Sequence, residues 1–285
     1  MFVITGATGN TGSVVAQRLL AAGRKVRVVV RDAAKASALA KQGAEVVVAE
    51  LHDQAALERA FAGAEGVYFL SPPDLQARAF ISERKQLTQA IVDTLKRAQV
   101  KHVVLLSSIG AERAQGTGPI VTVHHAENQL RASGLNATFV RAGYFAENWA
   151  SVIPVAKQDG VLPVFFSPEL KLPMIATQDI GEVAAQALLD GPRGVRIIEL
   201  AGPEEVSPVE VAASLSKLLG REVKATRAPL EAVVPTFTHA GMSENIAQLF
   251  HELYTCISDN EFTWQGAHES VRGRVSVSEA LRGLI

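Results

Sequence analysis

Residues 1–20 read MFVITGATGNTGSVVAQRLL, and this stretch decides the fold. A β-branched run, Phe2 to Thr5, leads into Gly6, Gly9 and Gly12. A segment follows in which Val14, Val15, Leu19 and Ala22 recur at helical spacing. Each glycine has a task in a strand–turn–helix phosphate loop. Gly6 permits the tight turn, Gly9 lets backbone approach a pyrophosphate, and Gly12 lets helix and strand pack closely. The helix N-terminus adds unpaired N–H groups and the positive end of its dipole. Thr8, Asn10 and Thr11 add side-chain donors. No Lys-Ser/Thr pair follows the glycines, so this is not a Walker loop. The loop predicts a bound dinucleotide.

The pattern continues outward. The runs FVIT, KVRVVVR, AEVVVA, GVYFL, KHVVLLS and NATFVRAG alternate with segments of helical spacing. Continuous apolar strands separated by helices are what a parallel sheet covered on both faces requires. The order predicts an α/β chain with a Rossmann-type doubly wound sheet. After Arg141 the pattern breaks into short, proline-containing pieces, with one more strand expected at GVRIIELAG. Thr177 and Asp179 mark a helix start, and Ser207 with Pro208 reads as N-cap and first helical residue. From Pro229 to Ile285 mostly helix is expected, with an apolar face of Ile246, Leu249, Phe250 and Leu253. The division expected is a dinucleotide-binding domain over 1–153 with about 174–203, and a smaller lobe over about 154–173 and 204–285.

The second strand ends in VVVRD, where an acidic tip would take the ribose hydroxyls of NAD. Here Arg31 comes first off the strand, a planar fork suited to a 2′-phosphate, and Lys35 adds charge in the next turn. NADP(H) is therefore the preferred cofactor, with NAD(H) the alternative. Lys+Arg 28 against Asp+Glu 29 gives a net charge of -1, and no basic stripe stands out, so direct nucleic-acid binding is not expected. Cys256 is the single cysteine, the histidines show no metal spacing, and no apolar run reaches membrane-spanning length. These features predict a cytoplasmic chain without a metal or membrane partner, as a monomer or homodimer.

GATGNTG, VVVRD, VKHVVLLSSIGAE and HHAENQLRASGLNATFVRAGYFAENW together resemble the NmrA-like branch of the atypical short-chain dehydrogenases. That branch includes NADPH-dependent quinone oxidoreductases, azo and triphenylmethane dye reductases, and nonenzymatic NADP(H) sensors. The resemblance implies a strand-end serine, which falls at Ser107 with Ser108 as alternative. It would also imply a Tyr-x-x-x-Lys pair, but those positions fall near Pro119 and Val123, so both groups are missing. His124 and His125 are the nearest polar candidates for acid–base work. By the same resemblance, Leu70, Ser71 and Pro72 after the fourth strand contact the cofactor.

Reducing a ketone generates an alkoxide that needs a positioned proton donor. A quinone or dye accepts hydride without one, because the nicotinamide carries the hard step. Tyr144, Phe145, Asn148 and Trp149 follow the sixth strand, at the carboxyl edge where ligands bind in open α/β folds. The expectation is a reductase acting on a small aromatic acceptor against a wall of these residues. Phe165, Phe166, Met174, Phe237 and Met242 are expected to complete the wall. The competing expectation is a nonenzymatic NADP(H) sensor; an epimerase fits poorly without Tyr and Lys.

Overall fold

A computed structural model describes residues 1–285. Its first half runs β1 (Phe2–Thr5), α1 (Asn10–Ala21), β2 (Val26–Val30), α2 (Ser37–Lys41), β3 (Glu45–Val48), α3 (Gln54–Phe61), β4 (Gly66–Phe69), α4 (Phe80–Arg97), β5 (His102–Ser108), α5 (Val121–Ser133) and β6 (Asn136–Ala142). The second half runs β7 (Tyr144–Phe145), α6 (Ile153–Asp159), β8 (Val161–Val164), β9 (Met174–Ile175), α7 (Thr177–Asp190), β10 (Val195–Ala201), α8 (Pro208–Leu219), β11 (Lys224–Arg227), α9 (Val233–His239), α10 (Glu244–Ser258), β12 (Glu269–Arg272) and α11 (Val277–Arg282).

The main sheet has eight parallel strands in the order β3-β2-β1-β4-β5-β6-β10-β12. The order reverses direction between β1 and β4, the topological switch point where such sheets bind dinucleotides. All residues of β1 and β4 are buried, because helices cover both faces. One face packs against α1 and α7 through Val15, Leu19, Ile180, Ala184 and Leu188. The other packs against α3, α4 and α5 through Leu57, Phe61, Ile91, Leu95 and Leu130. A third core joins Trp149 and Met174, from the stretches expected in the dinucleotide-binding domain, to Phe166, Val211 and Ile257 from those expected in the smaller lobe.

Two local expectations are revised. β12 lies within the stretch expected to be mostly helical, and it joins the main sheet as an edge beside β10. Its sequence, Glu-Ser-Val-Arg, is too short and polar to signal a strand. Asp179 does not cap α7; its buried carboxylate instead accepts N–H bonds from Arg274 and Val275 at 2.9 Å. The start of α7 is served by Glu147, which accepts from the Thr177 N–H at 2.9 Å and from its hydroxyl at 2.6 Å. Ser207 forms the expected cap of α8, completed by Glu210 into a reciprocal box.

Candidate functional site

Gly6 adopts φ +62°, a left-handed turn conformation that favours glycine, with Leu70 packed against it. A Cβ on Gly12 would collide with the Gly6 carbonyl, so the start of α1 presses directly onto the loop. Gly9 is the N-cap of α1 in extended conformation, and no side chain caps the helix. The first-turn N–H groups are therefore left for a ligand. Beside this cradle lies a cleft of about 720 Å³ lined by Gly6, Thr8, Arg31, His52, Leu70 and Pro72 among others.

Arg31 is exposed within that cleft. The carboxylate of Asp32 instead accepts the Ala34 N–H at 2.9 Å and starts a 3-10 turn over Ala33–Ala36. Lys35 stands on the exposed side of that turn. Thr11 is buried, and its hydroxyl accepts a bond from the Tyr68 hydroxyl at 2.8 Å, so it secures the loop to β4. Asn10 opens instead onto a groove shared with Thr177 and Arg274. Ser71 places a buried hydroxyl without a partner just beyond β4, and Pro72 accepts a 3.3 Å bond from the Arg84 guanidinium. Glu50 and His52, absent from the sequence reading, also line the cleft.

The acid–base candidates have other duties. Ser107 is buried and donates its hydroxyl to Glu127 at 2.6 Å. Glu127 also receives Arg141 at 2.9 and 2.8 Å and Arg131 at 2.7 Å. Arg141 in turn reaches Glu112 at 3.4 Å and Gln265 at 3.0 Å. Charges this deep persist only when paired and hydrogen-bonded, so the network ties β5, α5 and β6 together. Ser108, the alternative, donates to the Ile109 carbonyl at 2.9 Å.

His124 donates Nδ1–H to the Ala111 carbonyl at 2.8 Å, which leaves Nε2 to accept from Asn128 at 2.9 Å. Both of its ring nitrogens are thus engaged. His125 lines an outer groove with Lys85, Gln89 and Asn128, between α4 and α5. Burial, then the Lys85 and His124 charges, holds its pKa below the usual histidine value. In this structure Ser107 is held by Glu127, His124 by Ala111 and Asn128, and His125 lines the groove between α4 and α5.

At that edge, Gly143 turns the chain off β6. A Cβ there would collide with the Pro173 carbonyl, and Tyr144 N–H bonds that same carbonyl at 2.9 Å. The pairing of β7 with β9 then holds Tyr144 beside Met174. A small cavity of about 70 Å³ lies above, lined by Tyr144, Asn148, Trp149, Phe165, Phe237 and Tyr254 among others. Trp149 is buried under it and donates to the Met174 sulfur at 3.5 Å. Phe165 meets Phe237 edge-on at 5.9 Å and Tyr254 at 5.2 Å, and Phe166 stacks near Tyr254 at 6.2 Å. Such offset and edge contacts suit aromatic quadrupoles.

Tyr254, from α10, was missed in the sequence, although it follows Phe250 by four and so continues the apolar stripe of that helix. Phe145 turns instead toward the main core, and Met242 packs with Phe80 and Leu249. Burial raises the Tyr144 phenol well above its ordinary pKa, and the neighbouring Tyr254 adds to the rise. Burial likewise pushes Tyr254 up to about 12.

The family model for the NmrA-like family matches residues 1–272. The chain belongs to the NmrA-like family. It is 31% identical over 256 residues to an NAD(P)H azoreductase of Xenophilus azovorans, covering 89% of this chain and 86% of the relative. A crystal structure of the NADPH-dependent quinone oxidoreductase 2 of Escherichia coli, complexed with NADPH, superposes with a TM-score of 0.83. The match covers 100% of this chain and 99% of that one at 25% identity. The nitrogen metabolite repression protein nmr of Neurospora crassa is 29% identical over 170 residues, 54% of this chain and 35% of that protein.

Proposed function

We propose that this NmrA-like protein is an NADPH-dependent reductase that passes a hydride to an electrophilic aromatic acceptor, either a quinone or an azo or triphenylmethane dye. The observation that carries this reading is the aromatic cavity at the end of β6, on the same sheet edge as the glycine cradle. When bound, NADP(H) supplies the hydride at its nicotinamide.

The chain's own residues do the rest. Gly6, Gly9, Gly12 and the first turn of α1 fit a pyrophosphate, because the bare Gly12 lets the helix start press onto the loop and no side chain caps the first-turn N–H groups. Arg31 is placed for a 2′-phosphate, and Asp32 does not oppose it because its carboxylate is held by Ala34. Leu70 and Pro72 bound the cleft toward β4. Tyr144, Trp149, Phe165 and Phe237 offer a planar acceptor aromatic faces and edges. A cavity of about 150 Å³ is what benzene occupies in a protein core. At about 70 Å³ this one admits a ring only when Phe237 or Phe165 turns aside.

Ser107, His124 and His125 do not line the aromatic cavity, which favours an acceptor that needs none of them as an acid. An acceptor that forms a weakly basic anion, or none, needs no strong acid. The test is NADPH consumption by purified protein with quinones, azo dyes and triphenylmethane dyes, run beside NADH. Saturable turnover favouring NADPH is expected. The small size of the cavity favours one second reading, a nonenzymatic NADP(H) sensor, which would bind NADPH tightly and turn over none of these acceptors.

A further inference from the structure

Phe237 stands at the centre of the rings around the aromatic cavity, with centroids 5.9 Å from Phe165, 5.1 Å from Phe250 and 6.1 Å from Tyr254. The elements that carry these rings are held unequally. Phe165 directly follows β8, which pairs with β11, and its carbonyl accepts the Ser258 hydroxyl at 3.3 Å. Phe250 and Tyr254 lie on α10, whose start is tied to the chain after β4. There the Ser243 N–H donates to the Leu75 carbonyl at 2.8 Å, and the Phe80 N–H donates to the Asn245 side chain at 3.0 Å. Further along α10, the Leu249 carbonyl lies so close to Gly118 that a Cβ there would collide with it. Phe237 instead lies on α9, a helix of seven residues with Val233 as its one buried side chain. The main packing of α9 is against α10 and the turn at Leu230–Ala232, and it joins α10 through the exposed Gly241 at φ +89°.

We propose that Phe237 is the gate of this cavity and sets the size of acceptor it takes. The Phe237 ring swings out with α9, a flat quinone takes its place between Phe165 and Tyr254, and a three-ring triphenylmethane dye is barred. This rests on the reductase reading above. The cavity of about 70 Å³ is too small for a ring, so one wall has to move. Phe165 and Tyr254 stand on backbone that is bonded or packed to other elements, which leaves α9 as the wall that yields. A flat ring that enters the vacated place restores the stacked and edge contacts that Phe237 gives up. A triphenylmethane carries three rings twisted as a propeller. The space of one ring does not hold it while β8 and α10 stay in place, because a close-packed interior meets excess volume with strain.

The test compares wild type, Phe237→Ala, Phe237→Leu and Phe165→Ala in kcat/KM for a one-ring benzoquinone and for a triphenylmethane dye, at saturating NADPH. Phe237→Ala should raise the dye value by about tenfold or more and keep the quinone value within about threefold of wild type, the scale on which pocket volume discriminates. Phe237→Leu should give a smaller gain in the same direction, and it carries the test if the alanine variant fails to fold. Phe165→Ala should gain less than Phe237→Ala, because Phe237 still closes the cavity. Three results would overturn the gate and leave the reductase reading intact. They are wild-type turnover of the dye as fast as that of the quinone, no gain in folded Phe237 variants, and a gain in Phe165→Ala that matches Phe237→Ala.

A second readout needs no turnover. A leuco triphenylmethane, the three-ring compound already reduced, is titrated into the NADP⁺-loaded protein, and quenching of Trp149, which lines the cavity, is followed by fluorescence. Phe237→Ala should show saturable quenching and wild type should show none. Binding to wild type as tight as to Phe237→Ala, or to neither, would overturn the gate. Absence of turnover on every acceptor, in wild type and variants alike, would overturn the reductase reading, and the leuco-dye titration would still decide the gate.

Discussion

The two ends of the carboxyl edge are built by different means. Over β1 and β2 the cradle is made of backbone, through the Gly6 turn, the Gly12 contact and the uncapped start of α1. Over β6 the cavity is made of side chains from four separated stretches, near residues 144–152, 163–166, 237 and 254. Backbone recognition leaves a local, short-range signature, because glycine is demanded at particular positions. Side-chain recognition depends on the smaller lobe folding over the sheet, and loops of one family can vary it without disturbing the cradle. The first end is suited to a constant cofactor and the second to a variable acceptor.

Beneath both ends lies a framework whose polar groups serve stability, and separating it from the site yields the sharpest tests. Glu127→Gln leaves the buried Arg141 guanidinium short of its counter-charge. It should lower unfolding stability by about 3–5 kcal/mol, read by denaturant titration. If stability holds while turnover collapses, the network belongs to the site and the division fails.

His102, buried at the opposite end of β5 from Ser107, bonds Thr138 at 3.0 Å. Burial, with Arg196 nearby, holds its pKa down at about 4. The unfolded chain protonates near 6.5 while the folded chain does not. This stability is therefore present above pH 6.5 and is lost as pH falls toward 4, up to about 3 kcal/mol in all. His102→Gln should flatten that part of the stability profile and leave the pH dependence of turnover alone.

At the cofactor end, Arg31→Ala should reduce the preference for NADPH over NADH by about tenfold, equal to about 1.4 kcal/mol, with acceptor KM unchanged. Unchanged preference would mean that Arg31 does not reach the 2′-phosphate. The smallest effect belongs to Ser107→Ala, which removes one bond to Glu127. A stability loss of about 1–2 kcal/mol is expected, with kcat/KM intact. A large loss of turnover in a stable protein would return Ser107 to the catalytic site.

The same contrast explains what could be read from the sequence. Gly6, Gly9, Gly12 and the alternation of apolar runs report local backbone demands, so the cradle and the Rossmann-type sheet were legible. Ser207 with Pro208 was legible for the same reason. β12 was not, since Ser270 and Arg272 carry no apolar alternation and the strand exists through its pairing with β10. The wall residues Tyr144, Asn148 and Trp149 could be placed by their position after β6. Tyr254 could be put on the helix face of Ile246 and Phe250 but not at the cavity, because Tyr144, which shares that lining, lies 110 positions away. Ser107 and Glu127 sat in plain view, but only the fold reveals that one hydroxyl and two guanidinium groups converge on that carboxylate.

The most direct test of the central claim is an anaerobic single turnover. NADPH-loaded protein is mixed with a quinone, and nicotinamide absorbance is followed with ordinary and 4-deuterated cofactor. The reductase account requires a rapid, complete loss of absorbance that slows when the transferred hydrogen is deuterium. Stable NADPH that stays bound in the presence of excess acceptor would contradict it and identify the cradle as a sensor's.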